Sequence, residues 1–428
     1  MMKLNYRSIV LGTMLMHALY WLICTFPAAA GDQGTSAKNK DDASVVTIED
    51  VVVRGEAANK DLAAASATVL SNEEIANRIY ITPLDIVTLS PGISVVQYKQ
   101  GGTAANFTMR GFSGNSHGPN TAIFLDGIPL NEGDGYADTN IINPDELGRV
   151  VIVKGPSSVL YGNYASAGSI AYYTQKHVDH NHLKLQYGAN NTYETNFVGG
   201  LAGKDWDQVY SIQTYHTDGY QDNSKWDRLN AAARVTRHLT DRLDIRVSLR
   251  GFNSDWDAPG YIDAEKLGAD PTQAVSETNG GGKDRVEGRV DFDFQLNADA
   301  KLLFNVWGYD QEFWRWYAND PDDYKSGDIL GNLRNFNRKV YGAGASYNLL
   351  GSVAQRELSV IIGADYMIED IERERWNLLA GNGREKGKKY LDYAIDMQTF
   401  CVYAQGSYQL IQPMRLILGA RFDHFEGD

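Results

Sequence analysis

The chain is poor in cysteine, proline and positive charge. Two cysteines in 428 residues leave no disulfide framework and no thiolate metal cluster. Forty basic side chains stand against fifty-four acidic ones, a net charge of -14, so there is no basic field for nucleic-acid phosphates. Only one apolar run, residues 9–26, approaches the length of a membrane helix, which excludes a polytopic helical membrane protein. Catalytic signatures are missing too: there is no GxSxG, no HExxH and no persuasive carboxylate pair. The run GNGREKGKK at 381–389 lacks the preceding strand and terminal Ser or Thr of a phosphate loop, and reads as solvated loop. No metal site, cofactor or enzyme activity is expected.

What is present begins with a secretory signal over residues 1–30. Lys3 and Arg7 flank the apolar run, and Ala28-Ala29-Ala30 offers a small-residue cleavage site. Cys24 falls in the removed piece, so Cys401 is the one cysteine of the mature chain. A polar leader, GDQGTSAKNKDDAS, then runs into the β-prone stretch VVTIEDVVV at 45–53. From about 59 to 177 short helices and strands mix. Ser71 and Glu74 in SNEEI stand at capping-box spacing, and Pro83 opens a second helical turn that Pro91-Gly92 ends. Asp126-Gly127 is a hairpin signal between the apolar runs 122–125 and 128–130, and Gly155-Pro156 ends the strand 150–154. His177, His180 and His182 have metal-like spacing but fall in a polar link, where solvated histidines are the expectation.

After residue 177 the texture changes to long alternating segments. Val286, Gly288, Val290, Phe292 and Phe294 alternate with Arg285, Glu287, Arg289, Asp291 and Asp293, and the same period recurs at 243–250, 358–366 and 416–422. Period 2 is a strand, and an apolar outside with a charged inside suits a transmembrane barrel, although alternation alone is shared with a soluble sandwich. About eleven strands are expected between 183 and 425. Their links alternate between tight turns (204–205, 239–241, 297–300, 411–413) and long polar, aromatic-rich loops (255–283, 318–333, 374–392). That layout favours an outer-membrane barrel. Trp206, Trp307, Trp314, Trp316, Tyr317 and Trp376 are expected near strand ends, as girdle residues.

These motifs resemble those of TonB-dependent outer-membrane receptors of the siderophore-receptor type. The strongest likeness is ELGRVVIVKGPSSVLYGNYASAGSIAYYTQK at 146–176, which contains Gly155, Pro156, Tyr161 and Gly162 and is similar to the family's plug hallmark. FTMRGF, with Arg110 and Gly111, and AIFLDGIP, with Asp126 and Gly127, resemble two further plug motifs. EDVVVRG, with Glu49, Asp50, Val51, Val52 and Val53, resembles the TonB box but departs from it at Arg54 and Gly55. The resemblance implies a mainly β fold in four parts: signal peptide (1–30), leader with TonB box (31–58), α+β plug (59–177) and an antiparallel transmembrane β-barrel (178–428).

It also implies active import of a scarce, bulky nutrient, most often a ferric siderophore, in the outer membrane of a Gram-negative bacterium. The partners implied are the TonB energy-transducing protein, the chelate and outer-membrane lipid. An extended box beside a disordered leader suits addition of a strand to a partner's sheet. Tyr98, Gln100, His117, Tyr136, Trp256, Tyr261 and Trp314 are the candidate ligand contacts, as aromatic and polar groups on outward segments.

Family barrels close with twenty-two strands around a plugged lumen. At ~4.8 Å spacing and ~40° tilt, eleven strands give a diameter of roughly 22 Å and twenty-two roughly 44 Å, whereas a plug of this size needs roughly 36 Å. The strands here are therefore expected to form about half of a barrel. The chain reads either as the front portion of a receptor or as a truncated, non-transporting fragment that binds ligand or TonB through its plug.

Overall fold

A computed structural model describes residues 66–428 apart from 99, 103–104, 113–119, 134, 157–158, 179, 319–328, 380–383 and 413. The signal peptide, the leader, the TonB-box residues Glu49 to Val53 and the candidate His117 lie outside the described residues.

The plug is built on a five-stranded sheet of β1 (Ser66–Ser71), β4 (Thr121–Leu125), β5 (Ile128–Pro129), β6 (Leu147–Lys154) and β7 (Gly168–Thr174), in the order β1-β6-β7-β4-β5. A separate hairpin pairs β2 (Ile93–Val96) with β3 (Asn106–Met109). Two short helices cover one face. α1 (Asn72–Ala76) starts where Ser71 Oγ accepts from the Glu74 backbone N–H and the Glu74 carboxylate accepts from the Ser71 N–H, so the expected capping box is present. α2 (Pro83–Val87) follows with Pro at its first position and with Asp85 accepting from the Thr82 N–H. Apolar residues of β3, β4, β6, β7, α1 and α2 bury together, among them Ile75, Ile86, Phe107, Ile123, Ile152 and Tyr172.

Eleven antiparallel strands form the second sheet: β8 (His182–Gly188), β9 (Thr192–Ala202), β10 (Trp206–Thr217), β11 (Trp226–Thr240), β12 (Leu243–Asp257), β13 (Gly280–Asn297), β14 (Ala300–Ala318), β15 (Ile329–Val353), β16 (Arg356–Leu379), β17 (Lys386–Ile411) and β18 (Met414–Gly427). Each pairs with its sequence neighbour, and β8 and β18 are the two edges. The sheet curves around the plug. Phe252 from β12 joins the plug core, and Leu160 of the plug packs on Ile361, Cys401 and Tyr403 of β16 and β17.

Two expectations need correction. The segment 374–392 is mostly strand, since β16 runs to Leu379 and β17 starts at Lys386; likewise β15 starts at Ile329, inside the expected loop. With 24–26 residues, β15, β16 and β17 are far longer than the ~10 residues that cross a hydrocarbon layer. The girdle assignment fails for two residues. Trp307 lies mid-strand, paired with Gly342 and stacked 6.3 Å from Tyr309, on the face that meets the plug. Tyr317 shares that face, with Arg315 and Arg334 each 5.5 Å from its ring.

Candidate functional site

The plug motifs are held by backbone geometry that their glycines permit. Asp126 and Gly127 take φ of 48° and 87°, the tight turn that returns β4 into β5. Arg110 and Gly111 take 50° and 80°, and the Arg110 N–H donates to the Gly92 carbonyl while its guanidinium donates to the Lys154 carbonyl. The two motifs FTMRGF and KGP therefore pack on each other. Tyr161 tilts against Phe124, 6.1 Å between centroids. At Gly162, φ 71°, an added Cβ would meet the Arg421 guanidinium of β18 at 3.0 Å, so the LYG turn lies directly on the wall.

The plug's charged groups face opposite charges on the wall. The Asp126 carboxylate accepts from the Thr174 N–H at 3.0 Å, the Thr174 hydroxyl at 2.7 Å and Arg234 Nη2 at 2.7 Å, while its carbonyl accepts from Arg289 Nη1 at 2.6 Å. Burial pushes this carboxyl up, but the Arg234 charge, the Thr174 bonds and the Arg289 charge outweigh it and hold it below the ordinary aspartate range. Glu146 accepts from Ser211 at 2.7 Å and from Arg250 at 2.5 Å. Asp138 pairs with Lys283 at 3.0 Å, both buried. Glu132 lies 3.6 Å from Arg338 and accepts from Gln311 at 3.1 Å; against its burial, Arg338 and Lys283 hold it below the usual range. The wall partners Arg234, Arg250, Lys283, Arg289 and Arg338 were not singled out from sequence. Their signal was the polar half of the period-2 alternation, which marks an inward face without saying what it touches.

Above the plug, its apical loop meets the link between β12 and β13. Gln100 Nε2 donates to the Gly260 carbonyl and Gln100 Oε1 accepts from the Gly260 N–H, both at 3.0 Å. Gly101, φ 61°, presses on Trp256, where a Cβ would overlap the indole. Trp256 continues an aromatic row with Phe313 at 6.0 Å and Phe336 at 5.7 Å from Phe313. Tyr261 is 66% exposed, and the charges that act on its phenol come from Arg315, Tyr98 and Tyr317. Burial pushes that phenol up, against the downward pull of Arg315.

Tyr98, Gln100, Trp256 and Tyr261 are thus brought together at the apical joint between plug and wall, here termed the bowl, where Gln100 and Trp256 are buried and Tyr261 is the most exposed of the four. Tyr136 belongs to a different plug loop, closed by the Asn131–Ala137 bridge and set beside Arg338 through Glu132. Trp314 is excluded from the bowl. It pairs with Gly282 on the outer face, whereas Gly281, one residue away, lies under Trp256 on the inner face. A single residue of phase moves a strand side chain to the other side of the wall.

A plug packed against a curved sheet of eleven antiparallel strands defines the plug-and-barrel class of fold. Residues 59–169 match the family model TonB-dependent Receptor Plug Domain. The vitamin B12 transporter BtuB of Vibrio vulnificus is 32% identical over 236 residues, 50% of this chain and 37% of that protein. The hemin receptor of Yersinia pestis is 30% identical over 318 residues, 68% of this chain and 42% of that protein. Among solved structures, the unliganded ferric citrate transporter FecA superposes with a TM-score of 0.75 at 15% identity, covering 85% of this chain and 56% of that one. The chain belongs to the TonB-dependent receptors, of which it carries the plug and an eleven-stranded barrel sheet. It spans about two fifths of the length of these curated relatives.

Proposed function

We propose that the protein serves active import of a scarce, bulky nutrient, a ferric siderophore, across the outer membrane of a Gram-negative bacterium. The observation that carries this reading is the joint between plug and bowl. Gln100 grips the Gly260 backbone at both ends of its amide and Gly101 lies on Trp256, so a ligand in the bowl rests on the plug itself. Any displacement of the plug is then felt where the ligand sits.

In this reading Tyr98, Gln100, Trp256 and Tyr261 contact the ligand, joined by Tyr136 and His117. Residues Glu49 to Val53 act as the TonB box: the extended, apolar segment adds as a strand to TonB in the periplasm, where backbone bonds give affinity and register. Pulling there strains a plug whose carboxylates are clamped to wall cations. The apolar outer faces of β8 to β18 meet lipid, and the tips of β14 to β17 stand outside it. The relatives named as vitamin B12, hemin and ferric citrate proteins support a nutrient receptor and differ in cargo.

The test is accumulation of 55Fe, supplied as ferric siderophores, by iron-starved cells that depend on this protein. Accumulation that collapses when the proton-motive force is dissipated is the expected result. Equal accumulation by cells lacking the protein contradicts the proposal.

A further inference from the structure

The upper wall of the bowl carries a row of like charges. Arg315 on β14 pairs in register with Arg334 on β15, which pairs with Arg375 on β16. All three share the inner face with Phe313 and Phe336: these rings stand two residues toward the plug on β14 and β15 in line with Trp256, and Arg373, two residues from Arg375, lies over Phe336. Like charges directly opposite one another across strands are destabilising. Lower on the same wall five such cations are matched, Arg234 with Asp126, Arg250 with Glu146, Lys283 with Asp138, Arg289 with Asp291 and Arg338 with Glu369, while the buried Arg228 instead lies over Tyr215 and Trp226 and donates to the Ile81 carbonyl. Among the described residues, no carboxylate lies within ion-pair distance of Arg315, Arg334 or Arg375.

Among the described residues, the contacts of Arg315 and Arg334 carry no negative charge. Arg334 Nε donates to Asn332 Oδ1 at 2.9 Å, and Arg315 and Arg334 both lie over the Tyr317 ring. Arg334 stands five residues from the outer end of β15, beyond a ~10-residue lipid crossing counted from the opposite end. There, burial and the neighbouring Arg375 and Arg315 charges lower its pKa. The row faces the aromatic floor of Trp256, Phe313 and Phe336, and Tyr261 feels the Arg315 charge.

We propose that Arg315, Arg334 and Arg375 are the specificity-determining residues of the bowl and select a polyanionic chelate, one presenting several negatively charged oxygens, over a neutral chelate of the same size. Strands ~4.8 Å apart set three guanidiniums over roughly 10 Å, the width of a compact metal chelate. Each fork can take two oxygens of the ligand, and the aromatic floor accepts its flat faces. A bound anion would relieve the repulsion among the three guanidiniums. This inference rests on the import reading and deepens it.

The probes are two iron(III) complexes of similar size, a trianionic tris-catecholate and a neutral tris-hydroxamate, titrated against outer membranes containing the protein. The tris-catecholate is expected to bind at least tenfold more tightly, with an affinity that falls as salt rises. Arg334→Gln and Arg375→Gln should each weaken it at least tenfold, and Arg334→Lys less. Because each Gln variant removes a like charge, the thermal midpoint of the unliganded protein should stay level or rise. Unchanged tris-catecholate affinity in both variants overturns the inference, as does an affinity loss that tracks a lowered midpoint. Tight binding of the tris-hydroxamate, indifferent to these arginines, overturns it while leaving the import reading intact. Binding of neither complex overturns both.

Discussion

Asp126 shows how one side chain joins the plug to its wall. It sits in a turn, where its positive φ is compatible with Asp, and its carboxylate gathers Thr174 of the plug and Arg234 of β11. A buried ion pair contributes little against a well-packed apolar pair, but removing one member strands the other, at a cost of about 3–5 kcal/mol. Asp126→Asn is therefore expected to lower the urea concentration at which the plug becomes trypsin-sensitive; an unchanged midpoint would contradict the anchoring role. The pH dependence has a definite sign. Asp126 and Glu132 both have folded pKa values held below their ordinary ones, so their stabilisation is present above the usual carboxylate range and lost as pH falls through the lowered values. Protease resistance of the plug should hold from neutrality to about pH 4 and fail only in stronger acid. Loss of resistance near pH 6 would point to other groups. The Asp126-Gly127 turn was legible in the sequence because hairpin chemistry is local. Arg234 was not, since it lies more than a hundred residues away and only the closed fold brings it there.

Elements were more legible than the loops between them. Alternation located the barrel strands, and the Ser71–Glu74 and Pro83 signals located the two α-helices among the described plug residues. The loop estimates erred because polar alternation continues past the lipid: β16 and β17 carry charge on both faces near their outer ends, where Glu374, Arg375 and Asp392 are still paired in strand just before the register shifts at Trp376. Polarity marks exposure to water there and does not end the ladder of backbone bonds. Trp314 was misplaced for a related reason, since which of two adjacent residues faces the lumen depends on register. At the apical loop, Gly101 combines positive φ with close approach to Trp256. Gly101→Val should cost about 1–3 kcal/mol in local strain and weaken chelate binding while leaving the barrel strands intact. Circular dichroism and binding titration of the variant check this, and wild-type affinity would contradict the close contact.

At the scale of the whole molecule, the wall and plug are complementary in charge where they touch, and among the described residues the upper wall carries the row Arg315, Arg334 and Arg375. The plug fold was legible because its motifs set local turns, and residues 66 to 174 form the compact α+β unit that those turns predict. The ligand-facing arginines were not, because Arg315, Arg334 and Arg375 are remote in sequence and become a row only through strand pairing. In the proposed import reading, the mechanical link from periplasm to bowl runs through the plug, from the box at Glu49 to Val53 to the Gln100–Gly260 joint.

Deletion of residues 49–53 tests that link most directly, with 55Fe-siderophore binding to intact cells and accumulation inside them measured on the same cultures. The account predicts that binding is retained and accumulation is lost. Accumulation that continues without those five residues would contradict it.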